Sequence, residues 1–204
     1  DKSLNSFIFP QESRFGARGF EGGDIIRYAA AGGGDRGWGV SGRSKEPGVK
    51  IALAGRRGAG RAAAVGVAWQ FLIPEDGGAR MGRDGSLYEL AQWYPRMNVY
   101  DDLRGWNTEP YLGQGEFYLE YGDFTVDITV PAGYIVASTG TLLNPRDVLT
   151  PTEISRLAQA SKSATPVNIV TLDEIKSGAA RPKSTGTLTW KFSAKNVRDV
   201  AWAG

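Results

Sequence analysis

Large apolar and polar residues alternate with period two in several stretches of this chain, the pattern of strands with one buried face. The clearest run is 116–131, where Phe124, Val126, Ile128 and Val130 fall on one side and Thr125, Asp127 and Thr129 on the other. Gly122-Asp123 predicts a bulge or bend inside it. A second run, 65–74, sets Val65, Val67, Trp69, Phe71 and Ile73 on one apolar face. Shorter strands are predicted at 24–29, 38–44, 49–54, 86–94, 134–143, 167–172, 187–194 and 197–203. Gly32-Gly33-Gly34-Asp35-Arg36-Gly37 and Pro47-Gly48 supply turns, the first of them predicting a hairpin, and 76–85 reads as a glycine-rich turn. Pro95 ends the strand before it because proline cannot donate to a ladder, and 95–114 becomes a long connection. The strand at 134–143 is expected to pair with 116–131 across Pro131-Ala132-Gly133.

One stretch has helical period instead. Thr150-Pro151-Thr152-Glu153 has the capping-box order, threonine at the N-cap and glutamate three residues on, with proline at the first helical position. A helix of roughly three turns follows, with Ile154, Leu157, Ala158 and Ser161 on one side and Pro166 limiting its length. The residues therefore predict a mainly β fold of antiparallel strands with one short helix near 151–163. No internal repeat and no long linker is present, so 1–204 reads as a single domain.

Composition narrows the chemistry. Six tryptophans, eight tyrosines and 28 glycines in 204 residues suit strands and tight turns. Histidine and cysteine are both absent, which removes disulfides, thiol nucleophiles and the usual zinc ligands and leaves oxygen donors for a hard cation. Without histidine the usual base for a serine nucleophile is missing, and no S-x-x-K pattern replaces it. A formal charge of +2 gives no overall field that would draw nucleic acid or an anionic membrane. The charge is uneven, however: 84–144 holds nine acidic residues against two basic ones. No apolar run approaches the roughly 20 residues that span a bilayer, so membrane insertion is not expected. The lack of cysteine is compatible with either side of a bacterial membrane.

Three motifs invite functional readings. Gly58-Ala59-Gly60-Arg61-Ala62-Ala63 has a phosphate-loop pattern, but its flanks are short β-type runs rather than a strand and a helix, so it reads as a turn. Asp101 and Asp102, with Glu109 and Glu116 nearby, could pair carboxylates or bind calcium; a loop aspartate more often accepts hydrogen bonds from the following backbone N–H groups. Trp93, Tyr94, Tyr100, Trp106 and Tyr111 form an aromatic cluster suited either to stacking on a ligand or to anchoring the long connection.

The stretch from Leu90 to Pro145 carries a resemblance. Gln92-Trp93-Tyr94-Pro95-Arg96-Met97, Val99-Tyr100-Asp101-Asp102 and Gly105-Trp106 are followed by Gly115-Glu116-Phe117-Tyr118-Leu119-Glu120-Tyr121-Gly122-Asp123-Phe124 and by Thr129-Val130-Pro131-Ala132-Gly133-Tyr134. With Val197-Arg198-Asp199-Val200-Ala201-Trp202-Ala203, these resemble the N-terminal β-domain of a bacterial branch of the aminopeptidase N family of zinc metallopeptidases. The likeness covers about 65–204.

It implies a bent, saddle-like β-structure or sandwich that covers a catalytic domain of the same polypeptide and lines one side of the substrate cleft. It also implies a zinc ion in that catalytic domain; the H-E-x-x-H zinc site itself cannot lie in a chain without histidine. The family places a glutamine, and two residues later a glutamate or glutamine that holds the free α-amino group of the peptide. Here Gln92 matches the first and Tyr94 stands at the second. Two apart on a strand, both would point to one face. The expectation is thus a noncatalytic domain contributing Gln92 and Tyr94 to a peptide N-terminus subsite, with no cofactor of its own. A free-standing β-sandwich binding glycan or protein through its aromatic cluster is the alternative, and a scaffold whose parent has lost zinc is a third.

Overall fold

The computed structural model describes the backbone of 23–31 and, with side chains, 64–75, 80–107, 118–181 and 185–204. The expected strands at 38–44 and 49–54 and the Gly58–Ala63 turn lie outside the described residues. The chain divides into two compact units, Asp1–Glu120 and Tyr121–Gly204. The described residues are mainly strands in antiparallel sheets with a few short helices, so the mainly β expectation holds.

In the first unit, β1 (Gly23–Ala31) pairs antiparallel with β2 (Ala64–Phe71), and the register slips between Ile25 and Arg27. The predicted alternation on β2 is present: Val65, Val67, Trp69 and Phe71 are half-buried while Ala64, Gly66 and Gln70 are exposed. A hairpin of β3 (Met81–Asp84) and β4 (Leu87–Leu90) follows. Its turn needs the left-handed conformation at Gly85, φ 57°, which glycine adopts without a Cβ penalty. The sequence predicts a turn over 76–85 and one strand over 86–94, whereas 81–84 forms β3 and the following strand is short. The chain instead leaves extended conformation after Leu90, because Gln92 is left-handed at φ 58°. A second, smaller hairpin joins β5 (Tyr100–Asp101) to β6 (Gly105–Trp106).

The second unit is built on β7 (Gly122–Pro131). Its antiparallel partner is β10 (Thr187–Val197), with Ile128 opposite Trp190 and Val126 opposite Phe192. The bulge expected at Gly122-Asp123 appears on the strand opposite, where the register slips between Ala194 and Val197 and Asn196 is left-handed at φ 52°. The other edge of β10 takes β9 (Thr141–Leu142), while β8 (Ala137–Ser138) pairs with β11 (Trp202–Ala203). The expected pairing of 134–143 with β7 is therefore replaced. A long strand with matching alternation gives β7 a ladder along its whole length, which the 134–143 segment, broken at Gly140 with φ 98°, cannot. Asn144 extends β9 by mimicry: its side chain donates to the Thr189 carbonyl at 2.9 Å and accepts from the Lys191 N–H at 2.9 Å.

Alternation on both strands gathers Ile128, Trp190 and Phe192 with Val136, Val148 and Leu149 into the core, where each fully buried large side chain contributes roughly 1.5–3 kcal/mol. Val148 of α1 (Pro145–Val148) belongs to it and Ile154 of α2 (Pro151–Ala160) packs against it, and α3 (Leu172–Ser177) follows. The predicted capping box of α2 is formed, Thr150 N–H donating to Glu153 at 2.7 Å and Glu153 N–H to the Thr150 hydroxyl at 3.3 Å. Of the predicted face, Ile154 is half-buried and packs against the core, whereas Leu157, Ala158 and Ser161 are exposed; Glu153, at 1% exposed, and half-buried Arg156 turn inward beside it. The strand predicted at 167–172 is not formed. Thr171 and Glu174 make a second capping box that starts α3, and Gly178 at φ 72° ends it. Arg156 joins the two helices, donating to the Ile169 carbonyl at 3.1 Å and to the Glu174 carboxylate at 2.7 Å.

Candidate functional site

The segment leaving β4 holds both residues singled out from the sequence. Gln92 is 6% exposed and Tyr94 half-buried, but neither lies on a strand, so the period-two argument for a shared face does not apply. Gln92 reaches its position through a left-handed kink, an uncommon conformation for a residue with a Cβ. The kink follows Ala91, whose N–H is held by the Arg80 carbonyl at 2.8 Å across the hairpin, and Leu90, which is buried. The side chain of Gln92 is thereby carried inward, and among the described residues its Oε1 atom has no hydrogen-bond donor. Trp93 Nε1, on the next residue, is a buried donor without an acceptor among them. Buried polar atoms are nearly always paired, so neighbouring orphans of opposite character mark this segment as unusual.

The aromatic cluster is divided between two roles. Trp93 packs against Trp69 of β2, ring centroids 6.1 Å apart, and edge-on against Tyr94 at 5.4 Å. The Arg96 guanidinium lies 5.2 Å from the Tyr94 ring centre, within cation–π range. These rings anchor the connection, as the packing alternative expected. Tyr100 and Trp106 behave differently: they face each other across the β5–β6 hairpin at 5.2 Å, yet remain 63% and 57% exposed. Tyr111 lies outside the described residues.

Asp101 takes the turn role. Its Oδ1 accepts from the Leu103 N–H at 3.0 Å and the Arg104 N–H at 2.7 Å, leaving Asp102 exposed at the tip. Glu109 and Glu116 lie outside the described residues. Among the described residues no group of three or more acidic side chains is placed to hold a metal ion. With neither imidazole nor thiolate in the chain, its donor set does not fit zinc. No described helix is long and apolar enough to cross a membrane.

Arg96 and Trp69, which shape the surroundings of Tyr94 and Trp93, were not singled out as site residues from the sequence. The signal for Trp69 was present, since the β2 alternation places it on the inward face; Arg96 gave none. Comparison with protein-family models, with curated proteins and with solved structures finds no match to this chain.

Proposed function

We propose that this chain is the noncatalytic N-terminal β-domain of a zinc aminopeptidase-like protein. In that role it lines the substrate cleft beside a catalytic domain of the same polypeptide, which holds the zinc. One observation carries the reading: Gln92, the residue named by the family-like Gln-Trp-Tyr-Pro stretch, is buried with an acceptor oxygen that no donor among the described residues satisfies. Once the side chain turns its buried oxygen out to a bound peptide, the α-ammonium group supplies the N–H donors that oxygen lacks, and a charge-assisted bond is among the stronger ones. Tyr94, two residues on and fixed against Trp93 and Arg96, forms the neighbouring wall. Of the segments that carry the resemblance, those after Tyr121 are neighbours within the second unit: Gly122 is in register with Val197, and Ser138 with Trp202. Their proximity supports reading them as parts of one domain.

The test uses the full-length parent protein. Gln92→Ala should lower kcat/KM for aminoacyl arylamides by about tenfold or more, the loss of one hydrogen bond to a charged group being about 1.5–3 kcal/mol. Tyr94→Phe separates its hydroxyl from its packing. Unchanged kinetics in both variants refute the subsite, and hydrolysis by this chain alone, free of contaminating peptidase, refutes the noncatalytic role.

The exposed Tyr100–Trp106 pair favours a second reading, a free-standing binding module for glycan or protein. Saturable oligosaccharide binding that is lost in Trp106→Ala, in a protein whose gene encodes no H-E-x-x-H, would select it.

A further inference from the structure

The β5–β6 hairpin is tied by hydrogen bonds at its base and turn and displays apolar surface. Its base is held where the Asn107 N–H donates to the carbonyl of Val99 at 2.8 Å, and Val99 itself is buried. Asp101 ties the turn, and Gly105 at φ 74° lets the chain return. On this fixed frame Tyr100 and Trp106 are more than half exposed, and Leu103 at the tip is 90% exposed. Large aromatic rings held in place and left in water are a preorganised contact surface, because binding them costs little further ordering.

Two features indicate the occupant. The rings meet edge to face at 71°, which forms a corner with exposed π-faces instead of one flat platform. A π-face carries negative electrostatic character and attracts a cation. Charge acts in the same direction at the tip itself: Asp102 is exposed there with Asp101 beside it, against Arg104 as the one basic residue of the hairpin. An acidic setting raises the local concentration of cationic ligands and repels anionic ones. A neutral sugar gains nothing from that charge.

We propose that the Tyr100–Trp106 hairpin is a docking site for a basic peptide segment, whose arginine or lysine heads seat against the exposed ring faces beside the acidic tip. This stands on the hairpin alone and does not depend on the Gln92 subsite.

The test is titration of the intact chain with fluorescently labelled hexa-arginine, read by anisotropy at low and at physiological salt. Trp106→Ala and Tyr100→Ala each weaken binding about three- to fivefold, the range for one exposed cation–π contact. Trp106→Phe, which keeps a π-face, retains at least half of the affinity, and Asp102→Asn weakens binding less than either alanine variant. The indole N–H resonance of Trp106, identified by its loss in Trp106→Phe, shifts on titration with hexa-arginine and stays in place with hexaglutamate or cello-oligosaccharide. Because both rings are exposed, the alanine variants keep the wild-type circular dichroism. Equal hexa-arginine affinity in wild type and both alanine variants overturns the proposal by reducing the attraction to diffuse charge. Oligosaccharide binding that depends on Trp106, without a dependence for hexa-arginine, overturns it in favour of a glycan.

Discussion

Alanine at position 140 would carry its Cβ into the backbone of β10. Gly140 sits at φ 98°, a conformation that residues with a Cβ rarely adopt, between β8 and β9. An ideal Cβ there would overlap the Ser193 carbonyl oxygen, lie 2.7 Å from its carbonyl carbon and 3.0 Å from Ala194 Cβ. The obstacle is backbone in the middle of the β10 ladder, so no side chain can swing aside. The torsional strain alone is about 1–3 kcal/mol. Moving β9 away to relieve the overlap loosens the bonds that seat it, Leu143 N–H to Lys191 O at 2.7 Å and Lys191 N–H to Asn144 Oδ1 at 2.9 Å, each worth about 0.5–1.5 kcal/mol. Gly140→Ala should therefore cost about 3–5 kcal/mol in urea unfolding of the intact chain, a large fraction of the stability of an ordinary domain. Gly178→Ala is the control: φ is 72°, but nothing lies within 4 Å of the added carbon, so the cost is about 1–2 kcal/mol from conformation alone. Equal destabilisation by the two substitutions would refute the close approach of 140 to β10.

Trp190 is 1% exposed and its Nε1 has no acceptor among the described residues, so Trp190→Phe loses ring contacts but also deletes an unsatisfied donor; the net change should stay within about 1 kcal/mol, against about 3–5 for Trp190→Ala. Thermal melts of both variants check this, and a Phe variant as damaged as the Ala variant would show that the indole N–H has a partner. Glu174 is held at about 2, below its ordinary 4.5, first by the hydrogen bond from Arg156 and then by those from Thr171. A lowered folded-state value means that its contribution is complete above the ordinary carboxylate range and is lost as pH falls from about 4.5 towards 2. Acid titrations of stability should therefore be shallower over that window in Glu174→Gln than in wild type; identical curves would remove the Arg156–Glu174 contact as a determinant.

Local signals carried well from sequence to structure, and non-local ones did not. The β7 alternation and the Thr150–Glu153 capping box are written within a few residues, and both are formed. Asp101 likewise caps its own turn. The Thr171–Glu174 box was equally legible, but the β-branched residues before it, Val167, Ile169 and Val170, read as a strand and masked the helix start. The partner of β7 could not be read locally, because Thr129 meets Thr189 sixty residues away, hydroxyls 2.8 Å apart. A period-two pattern states that a strand has an inside face and says nothing about which strand lies beside it. Gln92 was legible as a position of interest, but its left-handed backbone was not, since glutamine is neither a turn residue nor a glycine substitute.

That conformation bears on the function. Gln92 combines a positive φ, burial of a polar side chain and an oxygen without a donor among the described residues. The first is worth about 1–2 kcal/mol of strain and the last about 1–3 kcal/mol of lost solvation. Glycine would remove both, at a cost of about 0.5–1 kcal/mol in chain entropy and about 2 kcal/mol of packing from the two buried methylenes of the side chain. A residue kept purely for stability would not be expected to combine these costs, whereas a residue held ready for a ligand is expected to. Gln92→Gly should accordingly leave the stability of the free chain unchanged or raise it by up to about 2 kcal/mol, while weakening substrate use in the parent. Measured by urea unfolding, a loss greater than about 1 kcal/mol would mean that the side chain holds the β4 exit in place, and the argument from strain to a peptide-binding role would fail.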